Sequence, residues 1–105
     1  MNDILSNLSD VIDTRKKSDP DESYVSSLFT SGIDEILKKV GEEATELVLA
    51  GKGGDRDQVI YEAADLWFHS VVLLKYLDLD VSDVLNELEK RFGVSGIEEK
   101  VNRKK

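Results

Sequence analysis

The sequence predicts a single all-α domain, and three observations support that prediction. Apolar residues recur at helical spacing, Pro20 is the only proline, and β-branched residues do not alternate with polar ones. A chain of 105 residues is long enough for one domain with a modest core. We therefore interpret residues 1–105 as one domain.

The first predicted helix is amphipathic, and either Asn2 or Asp3 serves as its N-cap. Its apolar face consists of Ile4, Leu5, Leu8, Val11 and Ile12. Residues 16–23 break the pattern with Ser18-Asp19-Pro20-Asp21, which is typical of a connector. A short helix is predicted around residues 24–29.

A longer third helix is predicted to start at Ser31, which has capping-box spacing to Asp34. It should end near Ala50, with Gly51 as C-cap, so that residues 51–54 form a glycine loop.

The fourth helix should start at Asp55, which has capping-box spacing to Gln58, and should continue to about Leu77. A fifth helix is predicted over residues 81–92, stopped by Gly93, and the charged tail over residues 98–105 should fray.

Charge and composition exclude several classes of protein. The net charge of −8 argues against duplex nucleic acid or an anionic membrane as the main partner. No cysteine is present, so disulfides and thiolate metal sites are excluded. The first ten residues lack the pattern of a signal peptide, and the longest apolar stretch, residues 63–77, is too short to span a bilayer. These features favour a cytosolic protein.

Acidic residues border the apolar face of the third helix. On a helical projection that face comprises Ile33, Ile36, Leu37, Val40, Ala44 and Leu47. Glu43 lies about 60° from its centre, with Glu46 next and Glu42 further out. Glu43 and Glu46 should therefore lie beside the core.

The fourth helix is apolar nearly all round, which predicts a central position in the domain or in an oligomer. Its one polar strip carries Glu62, Asp65 and His69. Since the loop between the helices is short, they should be antiparallel neighbours. Glu62 and Asp65 would then face Glu43 and Glu46, and four converging carboxylates favour a hard divalent cation such as Mg²⁺.

These acidic motifs resemble those of the MazG-type all-α nucleoside triphosphate pyrophosphohydrolases. Five strings narrow the resemblance to the phosphoribosyl-ATP pyrophosphohydrolase family: Asp19-Pro20-Asp21-Glu22-Ser23-Tyr24, Lys38-Lys39-Val40-Gly41-Glu42-Glu43-Ala44-x-Glu46, Gly54-Asp55-Arg56, Tyr61-Glu62-Ala63-Ala64-Asp65-Leu66 and Gly93-Val94-Ser95-Gly96-Ile97-Glu98-Glu99-Lys100. Together they extend over nearly the whole chain.

The resemblance implies a MazG-like helical bundle completed by homodimerisation. It also implies Mg²⁺-dependent hydrolysis of phosphoribosyl-ATP to phosphoribosyl-AMP and pyrophosphate, the second step of histidine biosynthesis. The following cyclohydrolase is often fused to such enzymes. This chain resembles the stand-alone form, with a functional link to phosphoribosyl-AMP cyclohydrolase as a further expectation.

We expect the site residues to have three roles. Glu43, Glu46, Glu62 and Asp65 are the candidate Mg²⁺ ligands. Glu42, Glu43 and Glu46 are the candidate catalytic acids, with Glu42 either outside the metal shell or orienting the attacking water. The candidate substrate-binding residues are Lys38, Lys39, Arg15 and His69, although a structural, hydrogen-bonded role for His69 stays open.

Three alternative interpretations compete with this one. A house-cleaning pyrophosphohydrolase for non-standard nucleoside triphosphates would share the metal site. A di-iron bundle is disfavoured because it requires two Glu-x-x-His motifs and the chain has one histidine. In a non-catalytic dimerisation module the acids would belong to solvated helix faces, and this interpretation does not explain why they occur in pairs.

Overall fold

The computed structural model describes residues 4–92, and this part of the chain is all-helical, which confirms the predicted fold class. The five helices are α1 (Ile4–Arg15), α2 (Tyr24–Ser31), α3 (Ile33–Gly53), α4 (Arg56–Tyr76) and α5 (Val81–Lys90). The expected cap at Asn2 or Asp3 and the charged tail lie outside the described residues. The predicted end of the fifth helix at residue 92 is wrong, because α5 ends at Lys90 with Arg91 as its C-cap. Within them, no helix combines the length and apolarity needed to cross a membrane.

The α3–α4 hairpin is the largest packing unit, and only Gly54 and Asp55 connect its helices. The predicted end of α3 at Ala50 is wrong, because the helix continues to Gly53. Gly54 is the C-cap: its φ of 82° is left-handed, and its N–H donates to the Ala50 carbonyl at 3.1 Å. Asp55 caps α4 by accepting a hydrogen bond from the Gln58 N–H at 3.2 Å. The Gln58 side chain bonds to Glu62, so only this half of the predicted capping box forms.

The junction between α2 and α3 also differs from the prediction. Ser31 is the last residue of α2, and Gly32 is the N-cap of α3 without any side-chain capping bond. Gly32 has φ of 100°, which disfavours every residue with a Cβ, and its N–H donates to the Leu28 carbonyl. The glycine therefore allows α3 to start directly after α2, and the Ser31–Asp34 capping box is wrong.

The core lies where α1, α2 and α5 pack against the hairpin. Its buried apolar residues are Ile12, Val25, Leu28, Ile36, Val71, Val72 and Val81. A polar cluster ties α1, α4 and α5 together beside this core: the Lys75 ammonium contacts Asp13 at 2.9 Å and Asp80 at 3.4 Å.

Much of the apolar surface of the hairpin is not covered. Of the predicted apolar face of α3, Ile36 is fully buried, whereas Leu37 is 48% exposed, so the expected burial of Leu37 is wrong for the single chain. Val48, Leu49 and Ile60 are each at least 65% exposed. Large apolar side chains exposed to this extent are covered in many proteins by a partner chain.

Candidate metal centre

The α3–α4 hairpin brings together Glu43, Glu62 and Asp65. One carboxylate oxygen from each lies within 4.8 Å of the others. Glu43 is 5% exposed, Glu62 is 7% exposed, and Asp65 is half-buried. Glu62 and Asp65 share one face because they are three residues apart on α4, and Glu43 faces them from α3.

Two buried oxygens in this cluster have no hydrogen-bond partner among the described residues. They are Oε2 of Glu43 and Oε1 of Glu62. The other oxygen of Glu62 accepts a hydrogen bond from the Gln58 amide at 2.6 Å. An unpaired buried carboxylate oxygen is costly, so both oxygens fit coordination by a cation.

The raised pKa of Glu43 also supports a cation at this site. Burial raises the pKa of Glu43 from 4.5 to about 7, and the neighbouring carboxylates of Asp65 and Glu46 contribute to the same shift. A proton or a metal ion would therefore stabilise this carboxyl group at neutral pH. An all-oxygen donor set with two orphaned oxygens fits a hard cation such as Mg²⁺.

Glu46 and Glu42 lie on the open side of the cluster. Both are exposed, and both line a cleft of about 590 Å³ together with Lys38, Lys39 and Glu43. Three of the four predicted metal ligands thus converge, while Glu46 stands at the rim, close enough to affect the pKa of Glu43.

The two predicted lysines are placed beside the carboxylates. The Lys39 ammonium forms an ion pair with Glu42 at 3.3 Å, and hydrogen bonding to Glu42 raises the pKa of Lys39. Lys38 is exposed on the same cleft. The cleft therefore places two cations beside a group of carboxylates.

His69 is 3% exposed, and both of its ring nitrogens are engaged within the chain. Nδ1 lies 2.9 Å from the Asp65 carbonyl oxygen, and Nε2 lies 2.8 Å from the Tyr24 hydroxyl. Since a carbonyl only accepts, Nδ1–H is the donor, and in the neutral ring Nε2 accepts from the tyrosine. His69 thus links α2 to the Asp65 segment of α4.

Sequence reasoning missed Tyr24. Its ring stacks on Phe68 with centroids 6.2 Å apart. Burial raises the pKa of its hydroxyl, and the charges of Asp65 and Glu43 add to this while that of Lys39 opposes it. Tyr24 lies 45 residues from His69 along the chain, so no local spacing predicts this contact. Arg15, the remaining predicted substrate residue, lies in a separate cavity that Tyr24 and Phe68 also line.

Comparison with known proteins gives a consistent result. The family described as "Phosphoribosyl-ATP pyrophosphohydrolase" matches residues 5–92. A "Phosphoribosyl-ATP pyrophosphatase" of Janthinobacterium sp. (strain Marseille) is 58% identical over 111 residues, covering 99% of this chain and 98% of that protein. A protein of the same name from Ruthia magnifica subsp. Calyptogena magnifica is 52% identical, covering 98% of this chain and 98% of that protein. Another from Geobacter sulfurreducens is 56% identical, covering 96% of this chain and 94% of that protein.

Proposed function

Because the chain belongs to the phosphoribosyl-ATP pyrophosphohydrolase family, we propose that it hydrolyses phosphoribosyl-ATP to phosphoribosyl-AMP and pyrophosphate, the second step of histidine biosynthesis. The observation that carries the proposal is the buried carboxylate cluster with its two orphaned oxygens, in a chain that matches the family over residues 5–92. The proposal includes a cytosolic location.

The proposed metal is Mg²⁺, held by Glu43, Glu62 and Asp65 with Glu46 at the rim of the site. When bound, it would neutralise phosphate charge and lower the pKa of a coordinated water. Water adds across the bond between the α- and β-phosphates, and pyrophosphate leaves.

The residues of the cleft complete the proposed chemistry. Lys38 and Lys39 bind phosphate oxygens and stabilise the charge that develops on the leaving pyrophosphate. Glu42 holds the Lys39 ammonium at 3.3 Å and lies beside the open edge of the carboxylate cluster. We assign Glu42 and Glu46 to orienting the attacking water, since both carboxylates are exposed on the same cleft.

The first test is pyrophosphate release from phosphoribosyl-ATP with and without Mg²⁺. We compare wild type with Glu62→Gln and with Glu89→Gln, an isosteric control on the exposed face of α5. Mg²⁺-dependent release that is lost only in Glu62→Gln supports the proposal. Release only from other nucleoside triphosphates would favour the house-cleaning activity, and no release from any nucleotide would refute a pyrophosphohydrolase.

We also propose that two copies associate as a homodimer. The exposed apolar residues Val48, Leu49, Ile60 and Trp67 support this, because a second copy would remove them from water. Light scattering tests it: a mass of twice 11.8 kDa is expected, and a monomer at micromolar concentration would contradict it. A functional link to phosphoribosyl-AMP cyclohydrolase follows from the proposed product.

A further inference from the structure

A second cavity is lined in part by Tyr24, whose hydroxyl bonds to His69 beside the carboxylate cluster. Its volume is about 490 Å³, within the range of roughly 300–1,000 Å³ typical of small-molecule sites. The end of α1, the connector before α2, the first turn of α2 and Phe68 of α4 form its walls. Arg15 and Glu22 are the charged residues of these walls, and Tyr24 and Phe68 supply the aromatic rings.

Tyr24 lies between this cavity and the carboxylate cluster. Its ring contributes to the cavity wall and stacks on Phe68 at an interplanar angle of 19°. Its hydroxyl bonds to His69, which in turn bonds to the carbonyl of Asp65. A ligand that spans both sites would place its charged groups at the carboxylate cluster and a flat ring against Tyr24.

Arg15 supplies a cation to the cavity. Its side chain is exposed and forms no salt bridge with any residue over positions 4–92. A free guanidinium matches the geometry of phosphate oxygens. Glu22 also lines the cavity, and a carboxylate accepts hydrogen bonds from ribose hydroxyls.

One cation beside a carboxylate is poorly suited to a triphosphate. The cleft with Lys38, Lys39 and the carboxylate cluster is better suited, because its cations and a metal ion would offset several negative charges. The second cavity instead suits a single phosphate on a ribose, joined to a planar base. Phosphoribosyl-ATP carries such a group in addition to its triphosphate.

We propose that the second cavity binds the phosphoribosyl group and the adjoining purine, with Arg15 on its phosphate, Glu22 on its ribose hydroxyls and the rings of Tyr24 and Phe68 against the base. This proposal rests on the proposed function. It makes Arg15 a specificity-determining residue that distinguishes phosphoribosyl-ATP from ATP.

The test compares Arg15→Ala and Arg15→Lys with Lys17→Ala. Lys17 is exposed in the same connector but does not line the cavity, so its replacement removes the same charge without removing the contact. We expect Arg15→Ala to raise the KM for phosphoribosyl-ATP about 10- to 100-fold with little change in kcat. Arg15→Lys should recover part of the loss, and Lys17→Ala should resemble wild type.

Calorimetric binding of the product gives a readout that does not depend on turnover. Arg15→Ala should weaken binding of phosphoribosyl-AMP about tenfold or more and leave binding of AMP unchanged. Equal weakening for both nucleotides, or an Arg15→Ala variant that matches Lys17→Ala, would overturn the assignment while the proposed function stands. A wild-type chain inactive on phosphoribosyl-ATP would overturn both.

Discussion

Replacing Glu43 with Gln removes a buried carboxyl group whose ionisation the fold disfavours. Glu43 is 5% exposed, its Oε2 lacks a hydrogen-bond partner among the described residues, and the carboxylates of Glu62 and Asp65 lie within 4.8 Å. Gln has nearly the same shape and no charge. Without metal, the variant should be more stable than wild type at neutral pH and above, yet inactive.

The magnitude follows from the pKa of Glu43, which burial and then Asp65 and Glu46 raise from 4.5 to about 7. Between these values the folded chain binds more protons than the unfolded chain, so the free energy of unfolding falls as pH rises through this window and remains low above it. The difference between the two pKa values corresponds to about 3 kcal/mol at most. Glu43→Gln should recover up to that amount at about pH 8 and almost none of it near pH 4.5.

Urea unfolding with a chelator present, followed by circular dichroism at fixed protein concentration, measures this difference. Glu42→Gln is the matched control, because Glu42 is exposed and its ion pair with Lys39 contributes at most about 1 kcal/mol. If Glu43→Gln and wild type are equally stable at both pH values, the fold does not resist ionisation of Glu43. A charge-balancing metal would then lose its main support.

Metal binding, helix propensity and dimerisation each give a further prediction. Mg²⁺ should raise the melting temperature of wild type more at about pH 8 than at about pH 5.5, because protons compete with the metal for Glu43. Glu62→Gln should abolish this rise, and an equal rise at both pH values would contradict the prediction. Gly41→Ala should stabilise the chain by up to about 1 kcal/mol in thermal melts, since an added Cβ meets nothing within 4 Å. Loss of activity despite that gain would indicate that the substrate lies close to Gly41 in the cleft. Leu49→Asp should convert the proposed dimer to monomer in light scattering, whereas an unchanged mass would place the interface elsewhere.

Patterns within one helix were predictable from the sequence, because they depend only on helical periodicity. The projection placed Glu43 nearer the core than Glu46 and Glu42, and in the structure Glu43 is buried while the other two are exposed. It also placed Glu62 and Asp65 on one strip of α4, where both contribute to the cluster.

Choices between equivalent local signals were less predictable. Gly51, Gly53 and Gly54 all suit a C-cap, and only the position of the next helix, capped by Asp55, selects Gly54. At the start of α3, a positive φ at Gly32 replaced the capping bond that Ser31 would have made. In both places the connection to the neighbouring helix decided the outcome, and that information is not local.

Tyr24 marks the limit of sequence reasoning at the site itself. The polar strip of α4 predicted that His69 lies near the acids, but its partner comes from α2, 45 residues away. The contact depends on how α2 packs against the hairpin, which the left-handed Gly32 and the burial of Val25 and Leu28 determine. The same packing places Tyr24 in the wall of the second cavity, where we propose that the phosphoribosyl group binds. Helical periodicity within one element therefore could not predict this cavity.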